Sequence, residues 1–189
     1  MKTYRVTLVS EVPVIYNRMK RELQLEIKDL KKDQMDEWEE KNWKRKAEFD
    51  EKGNLLFPSE WIKGVLEASC KATRMIPHFA TSKNQTYTTY VSSMVVIIKQ
   101  TLGKVSDLVS YDAYVNGRGA MGKGGSKVFR IRPMLKKWKL TFELKDPFGR
   151  MQIKELKELL EYAGLMIGVG DNRKNNFGRF TVEEIKEIK

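Results

Sequence analysis

The stretch GLMIGVGDNRKNNFGRF, from Gly164 to Phe180, ends an apolar run with two spaced glycines and then sets Arg173, Lys174 and Arg179 in a polar loop. Gly168 and Gly170 leave the backbone bare, and the three cations favour an anion, most simply one phosphate or a string of them. A second basic feature lies upstream. From Arg118 to Lys139 the chain has eight basic residues and no acidic one: Arg118, Lys123, Lys127, Arg130, Arg132, Lys136, Lys137 and Lys139. Gly117, Gly119, Gly122, Gly124 and Gly125 keep that backbone thin. The segment reads as a loop that wraps a phosphate backbone and orders on binding, or more plainly as a hairpin tip with incidental charge. Tyr87, Tyr90, Tyr111, Tyr114, Phe129 and Trp138 interleave with the charge. One or two of them suit stacking on bases, and the rest suit the core.

Other chemistries find no support. No G-x-x-x-x-G-K-[ST] run exists, and Gly168 and Gly170 follow a helical pattern and precede a strand, the reverse of a dinucleotide-binding turn. Cys70 is the only cysteine and His78 the only histidine, which excludes an internal disulfide and a four-ligand zinc site. His78 has no Ser or Cys placed beside it. The acid pairs Glu39–Glu40 and Glu183–Glu184 lie on charged segments. No set of acid, base and metal roles emerges, so neither an enzyme nor a cofactor is expected.

The totals agree with an anionic partner. The chain has 189 residues, is 41% hydrophobic and 32% charged, and carries a net charge of +11. An excess of that size points to nucleic acid first and to an anionic membrane surface second. The N-terminal MKTYRVTLVSEVPVIYN is charged and strand-like, unlike a signal peptide. No apolar run approaches the roughly 20 residues a bilayer needs. A soluble, cytoplasmic protein is expected.

The elements that would hold these features follow from periodicity. YRVTLVS at the start of 4–15 alternates as a strand. Residues 17–52 read as a charged helical insertion, one or two exposed helices serving as an arm; Lys20 to Lys52 alone holds ten basic and eleven acidic residues. This face is either simply solvated or covers Trp38 and Trp43 by contact with a neighbouring subunit. SEWIKGVLEASCKATR opens a helix capped by Ser59 that runs to Pro77, with Ile62, Val65, Leu66, Ser69 and Cys70 on one face. Tyr87 to Thr101 reads as strand-rich, 111–133 as a glycine-rich basic hairpin, and Lys137 to Leu144 as a central strand. Ile153 to Ala163 is an amphipathic helix with Ile153, Leu156, Leu159 and Leu160 inward. A last strand contains GRFTVEEIKEI, with Phe177 and Phe180 turned inward by a bulge at Gly178. The order β-α-β-β-α-β with insertions predicts a single α+β domain over 1–189, ferredoxin-like or of the modified RNA-recognition (RRM-like) type.

Two motifs in this order resemble a known family. LLFPSEWIKGVLEASCKA resembles the motif that opens the first helix of RAMP-superfamily proteins, the CRISPR-associated subunits that coat guide RNA. That motif runs roughly Ile-Pro-Gly-Ser-Ser-Leu-Lys-Gly-x-Leu-Arg; Pro58, Ile62, Lys63, Gly64 and Leu66 match it in register. LKELLEYAGLMIGVGDNRKNNFGRF resembles the family's C-terminal glycine-rich loop, where Gly168, Gly170, Phe177, Gly178 and Arg179 match. EVPVIYN resembles the way such chains leave their first strand. The departures are Ser59, Glu60 and Trp61 in place of Gly-Ser-Ser, Glu67 in place of Arg, and Asn176 in place of the first glycine of Gly-Phe-Gly. No Asp stands where the target-cutting members carry theirs, so RNA cleavage is not carried over.

The resemblance implies a non-enzymatic, RNA-binding protein, a distant phage-encoded or stand-alone member that assembles as a homo-oligomer or filament along single-stranded RNA such as CRISPR RNA. Other CRISPR subunits are further partners, whether the chain joins a CRISPR complex or acts on one as a decoy or antagonist, and a membrane is not. The groove would draw on Lys63, Gly64, Lys71, Arg118, Lys123, Lys127, Arg130, Arg132, Gly168, Gly170, Arg173, Lys174 and Arg179. Two alternatives share these features. One is a single-stranded DNA-binding recombination protein. The other is a CRISPR-RNA-processing endoribonuclease, which would depend on His78.

Overall fold

The computed structural model describes residues 1–82, 85–116 and 127–188. The alternation in the first strand, β1 (Lys2–Ser10), buries Tyr4, Val6 and Leu8 completely. It is flanked on both sides, antiparallel to β6 (Lys139–Asp146) and to β7 (Phe180–Ile188). A short β3 (Val95–Ile97) adds to the outer edge of β6, giving the order β3-β6-β1-β7. Leu140, Phe142, Leu144 and Asp146 of β6 all point inward, in keeping with a strand flanked on both sides. Two helices, α3 (Ser59–Thr73) and α5 (Ile153–Tyr162), pack on each other and against the core. They bury Ile62, Val65, Leu66, Ser69 and Cys70 from α3, and Leu156, Leu159 and Leu160 from α5. Burial pushes the Cys70 thiol up to about 12, so it behaves as a small apolar core residue. The succession β1-α3-β3-β6-α5-β7 around one antiparallel sheet is a ferredoxin-like α+β fold.

Two insertions build the rest. Between β1 and α3 come β2 (Val14–Ile15), α1 (Arg21–Glu26), α2 (Lys32–Asn42) and a 3₁₀ turn at Trp43–Lys46. Between β3 and β6 a hairpin forms from β4 (Val109–Asn116) and β5 (Lys127–Leu135), and β2 completes a second sheet in the order β2-β5-β4. The charged stretch is less exposed than its composition suggests. Glu39 and Lys46 are buried and joined to each other. The Lys46 ammonium donates to the Ile131 carbonyl at 2.8 Å, and the Ile131 N–H donates to Glu39 at 2.9 Å. Burial holds the Lys46 ammonium below the usual lysine range. The arm is thus docked on the hairpin of its own chain. Trp43 packs against the core, and the Trp38 indole donates to Glu26 at 3.1 Å.

Several local readings change. Tyr87–Ser92 forms a helix, α4, rather than a strand. Tyr87 and Val91, one helical turn apart, are both fully buried, and this packing outweighs the β-branched composition. Pro58, not Ser59, is the N-cap of α3, and no side chain caps it. The helix ends at Arg74 in a left-handed turn (φ 51°) rather than at Pro77. Ile153 is the first residue of α5 and is 40% exposed, so the inward face starts at Leu156. Among the described residues, no helix is long and apolar enough to cross a membrane.

Candidate nucleic-acid interface

The loop after α5 begins with a π-helical turn at Ala163–Ile167 and then runs back to β7. Three asparagines shape its tip. Asn172 and Asn176 adopt left-handed φ of 58° and 65°, and the Asn175 amide donates to Asn172 at 2.7 Å. Asn tolerates this conformation through its short polar side chain, so Asn176 holds the turn where the RAMP pattern has Gly. Between them Arg173 and Lys174 stand exposed on a 3₁₀ turn, with no carboxylate partner among the described residues.

The glycines serve the protein's own packing. A Cβ at Gly168 would lie 2.5 Å from the Phe177 carbonyl, and one at Gly170 would lie 2.7 Å from both the Ile15 carbonyl and a Val14 methyl. Gly168 and Gly170 therefore let the loop press against its own return segment and against β2, with φ of 76° and 78°. Gly170→Val is accordingly expected to cost roughly 2 kcal/mol or more of stability, from left-handed strain plus overpacking. Thermal unfolding measures it; an unchanged melting temperature would contradict the close packing. The two phenylalanines also part company. Phe180 is buried against Trp138, whereas Phe177 is half-buried and meets the Tyr111 ring of β4 at 5.0 Å.

An open cleft of about 580 Å³ lies between hairpin and loop. Tyr111, Asp112, Ala113, Tyr114 and Arg132 line the hairpin side, and 170–175 line the other. Asn172 reaches the Tyr111 hydroxyl at 3.4 Å. Arg132 forms an ion pair with Asp171 at 2.8 Å across the cleft, so it braces the loop. Tyr114 is 70% exposed and stacks on Phe129 at 5.6 Å. Arg173 and Lys174 are the cations here without a carboxylate, and Asp112 opposes them in part.

The remaining expected site residues disperse. Arg130 lies 3.5 Å from the buried Glu39 carboxylate. Arg179 donates to Asn176 at 3.1 Å, and its backbone carbonyl accepts from Glu11 and Val12. Lys63 is half-buried and Gly64 exposed on α3, and neither lines this cleft. Lys71 stands eight residues further along α3, about 12 Å away along the axis. Lys127 opens β5, while Arg118 and Lys123 lie outside the described residues. Tyr87 and Tyr90 join an aromatic group with Phe79 and Phe148, and Trp138 is core. His78 bonds to Glu155 at 3.0 Å, beyond the C-terminal end of α3, and does not line this cleft.

Over 100% of its length the chain is similar in structure, at 12% identity and a TM-score of 0.51, to a chain in the cryo-EM structure of the Type III-B Cmr-beta bound to cognate target RNA. The likeness is one of fold. The chain spans 61% of the length of that neighbour. Neither a family model nor a curated protein matches the sequence.

A second cleft escaped the sequence reading. It holds about 440 Å³ and is lined by Tyr16, Asn17, Arg18, Glu48, Pro58, Glu60, Trp61, Gly170 and Asp171. Gly170 and Asp171 belong to both clefts, so the two adjoin. Trp61 packs on Tyr16 at 5.1 Å and on Phe57 at 5.2 Å. The signal for it was the bulky Trp61 standing where the family motif has a small serine.

Proposed function

We propose that this chain is a non-enzymatic RNA-binding protein of the RAMP type that lays single-stranded RNA between its hairpin and its C-terminal loop, contacting phosphates rather than reading sequence there. The observation that carries the reading is the exposed Arg173–Lys174 pair, without carboxylate partners among the described residues, on a loop braced against the hairpin by Arg132, Asn172 and Phe177. Cations of this kind hold a phosphate chain, and the exposed Tyr114 beside them is available to stack on a base. The structural likeness to a chain of a complex bound to target RNA supports the same reading, as does the net charge of +11. Copies of the chain assemble side by side on the RNA, alone or with other CRISPR subunits.

The test is the double charge reversal Arg173→Glu/Lys174→Glu, read by filter binding of a labelled single-stranded RNA. Affinity is expected to fall about tenfold or more, because two cationic contacts become repulsive. The melting temperature should hold, since both side chains are exposed and unpaired. Unchanged affinity in the folded variant would overturn the placement of the RNA. Equal binding of matched DNA would favour the single-stranded DNA-binding alternative instead.

A further inference from the structure

The cleft at Trp61 differs in chemistry from the one at Arg173. Its only lining cation is Arg18, which is engaged by Glu48 and, at 3.0 Å, by Glu60. Its other charged groups are those two glutamates and Asp171, which Arg132 holds. A phosphate finds no open cation there and meets carboxylates. A flat, uncharged group finds the partly exposed Trp61 indole, backed by the buried Tyr16 and Pro58 rings. The volume of about 440 Å³ lies in the range of small-molecule clefts. The shared Gly170 and Asp171 place it next to the cleft assigned to the phosphates.

Resting on the RNA-binding reading, we infer that this second cleft receives one nucleobase of the bound strand, stacked against Trp61, and that it selects guanine. Single-stranded RNA is read on unstacked bases held against aromatic rings, with their Watson–Crick edges open to hydrogen bonding. A carboxylate has only acceptors. Guanine presents two adjacent donors, N1–H and the N2 amino group, which match its two oxygens. Uracil presents one N–H between two carbonyls, which a carboxylate repels. Glu60 holds Arg18 through Oε1, and its Oε2 has no partner among the described residues. Oε1 keeps a second lone pair beside the Arg18 contact, so a guanine can engage both oxygens of Glu60 without displacing Arg18. The base in this cleft supplies sequence preference at one position, while the neighbouring cleft remains indifferent to sequence.

The experiment compares a labelled oligouridine with the same oligonucleotide carrying one central guanosine, adenosine or cytidine. In the unaltered protein the single guanosine is expected to raise affinity about tenfold, the scale of one well-matched base contact. In Glu48→Gln/Glu60→Gln the ratio of guanosine to uridine affinities should fall to about two or less. In Trp61→Leu it should fall as well, and because Trp61 also packs on Tyr16 and Phe57, the Glu variant carries the test if that protein fails to fold. Binding of all four oligonucleotides with equal affinity by the unaltered protein would overturn the guanine subsite while leaving the phosphate cleft intact. A preference that survives the Glu variant would overturn it too. Failure to bind any oligonucleotide would instead remove the RNA-binding reading, and this inference with it.

Discussion

Raising the salt from about 50 to about 200 mM is expected to weaken the binding of single-stranded RNA by about a hundredfold. Each neutralised phosphate on a single strand contributes roughly −0.7 to the slope of log affinity against log salt. The acid-free run from Arg118 to Lys139 overstates the number of contacts. Arg130 lies beside Glu39, Arg132 forms an ion pair with Asp171, and Lys139 pairs with Glu183 at 2.5 Å. These cations already have counter-charges. Arg173 and Lys174 remain, as do the exposed Lys136 and Lys137, with no carboxylate partner among the described residues, while Arg118, Lys123 and Lys127 are counted from the sequence alone. About five contacts from this set give a slope near −3.5, and a fourfold change in salt then spans about two decades. Filter binding at four or five salt concentrations measures the slope directly. A slope near zero would remove the electrostatic account of the cleft.

Glu39→Ala is expected to destabilise the protein by roughly 3–5 kcal/mol, because it leaves the buried Lys46 ammonium without its counter-ion. The Ile131 N–H loses its acceptor in the same step. For a chain of this size the melting temperature should drop by about 10 °C. Lys46→Met is expected to be costly for the mirror-image reason, since Glu39 would stay buried. The double variant should cost clearly less than the sum of the two, because neither charge is then stranded. Urea titration of the three variants tests this. Small, additive losses would mean that the arm is held by something other than this pair.

The sheet was legible because its strands repeat every two residues over enough length: LTFEL in β6 buries alternate side chains, and YRVTLV in β1 buries Tyr4, Val6 and Leu8, with Thr7 between them buried as well. The faces of α3 and α5 were legible for the equivalent helical reason. The errors share a cause. Tyr87–Ser92 is too short and too rich in β-branched residues to declare a helix, and only its packing decides. The arm looked solvated because Glu39 is 92 residues from Ile131 in sequence, and composition cannot show that the two meet. Arg132 and Asp171 are likewise brought together by the fold. Gly168 and Gly170 were rightly singled out as places needing a bare backbone. What presses on them, Phe177 and β2, is visible only in three dimensions. Trp61 was hidden by its position in a helix motif read for its apolar face.

The pairing of β1 has a consequence for synthesis. Thr3 faces Lys145 on one side and Ile188 on the other. At ribosomal speeds of roughly 5–20 residues per second, about ten to forty seconds separate the first strand from its last neighbour. Until β6 is made, Tyr4, Val6 and Leu8 have no sheet to enter, and until β7 follows the strand keeps one open edge toward any other nascent chain. Native pairing must wait for contacts of very long sequence separation, which makes folding slow. The yield of folded protein therefore depends on how fast the chain is translated, and on which chaperone occupies its first nine-residue strand in the meantime.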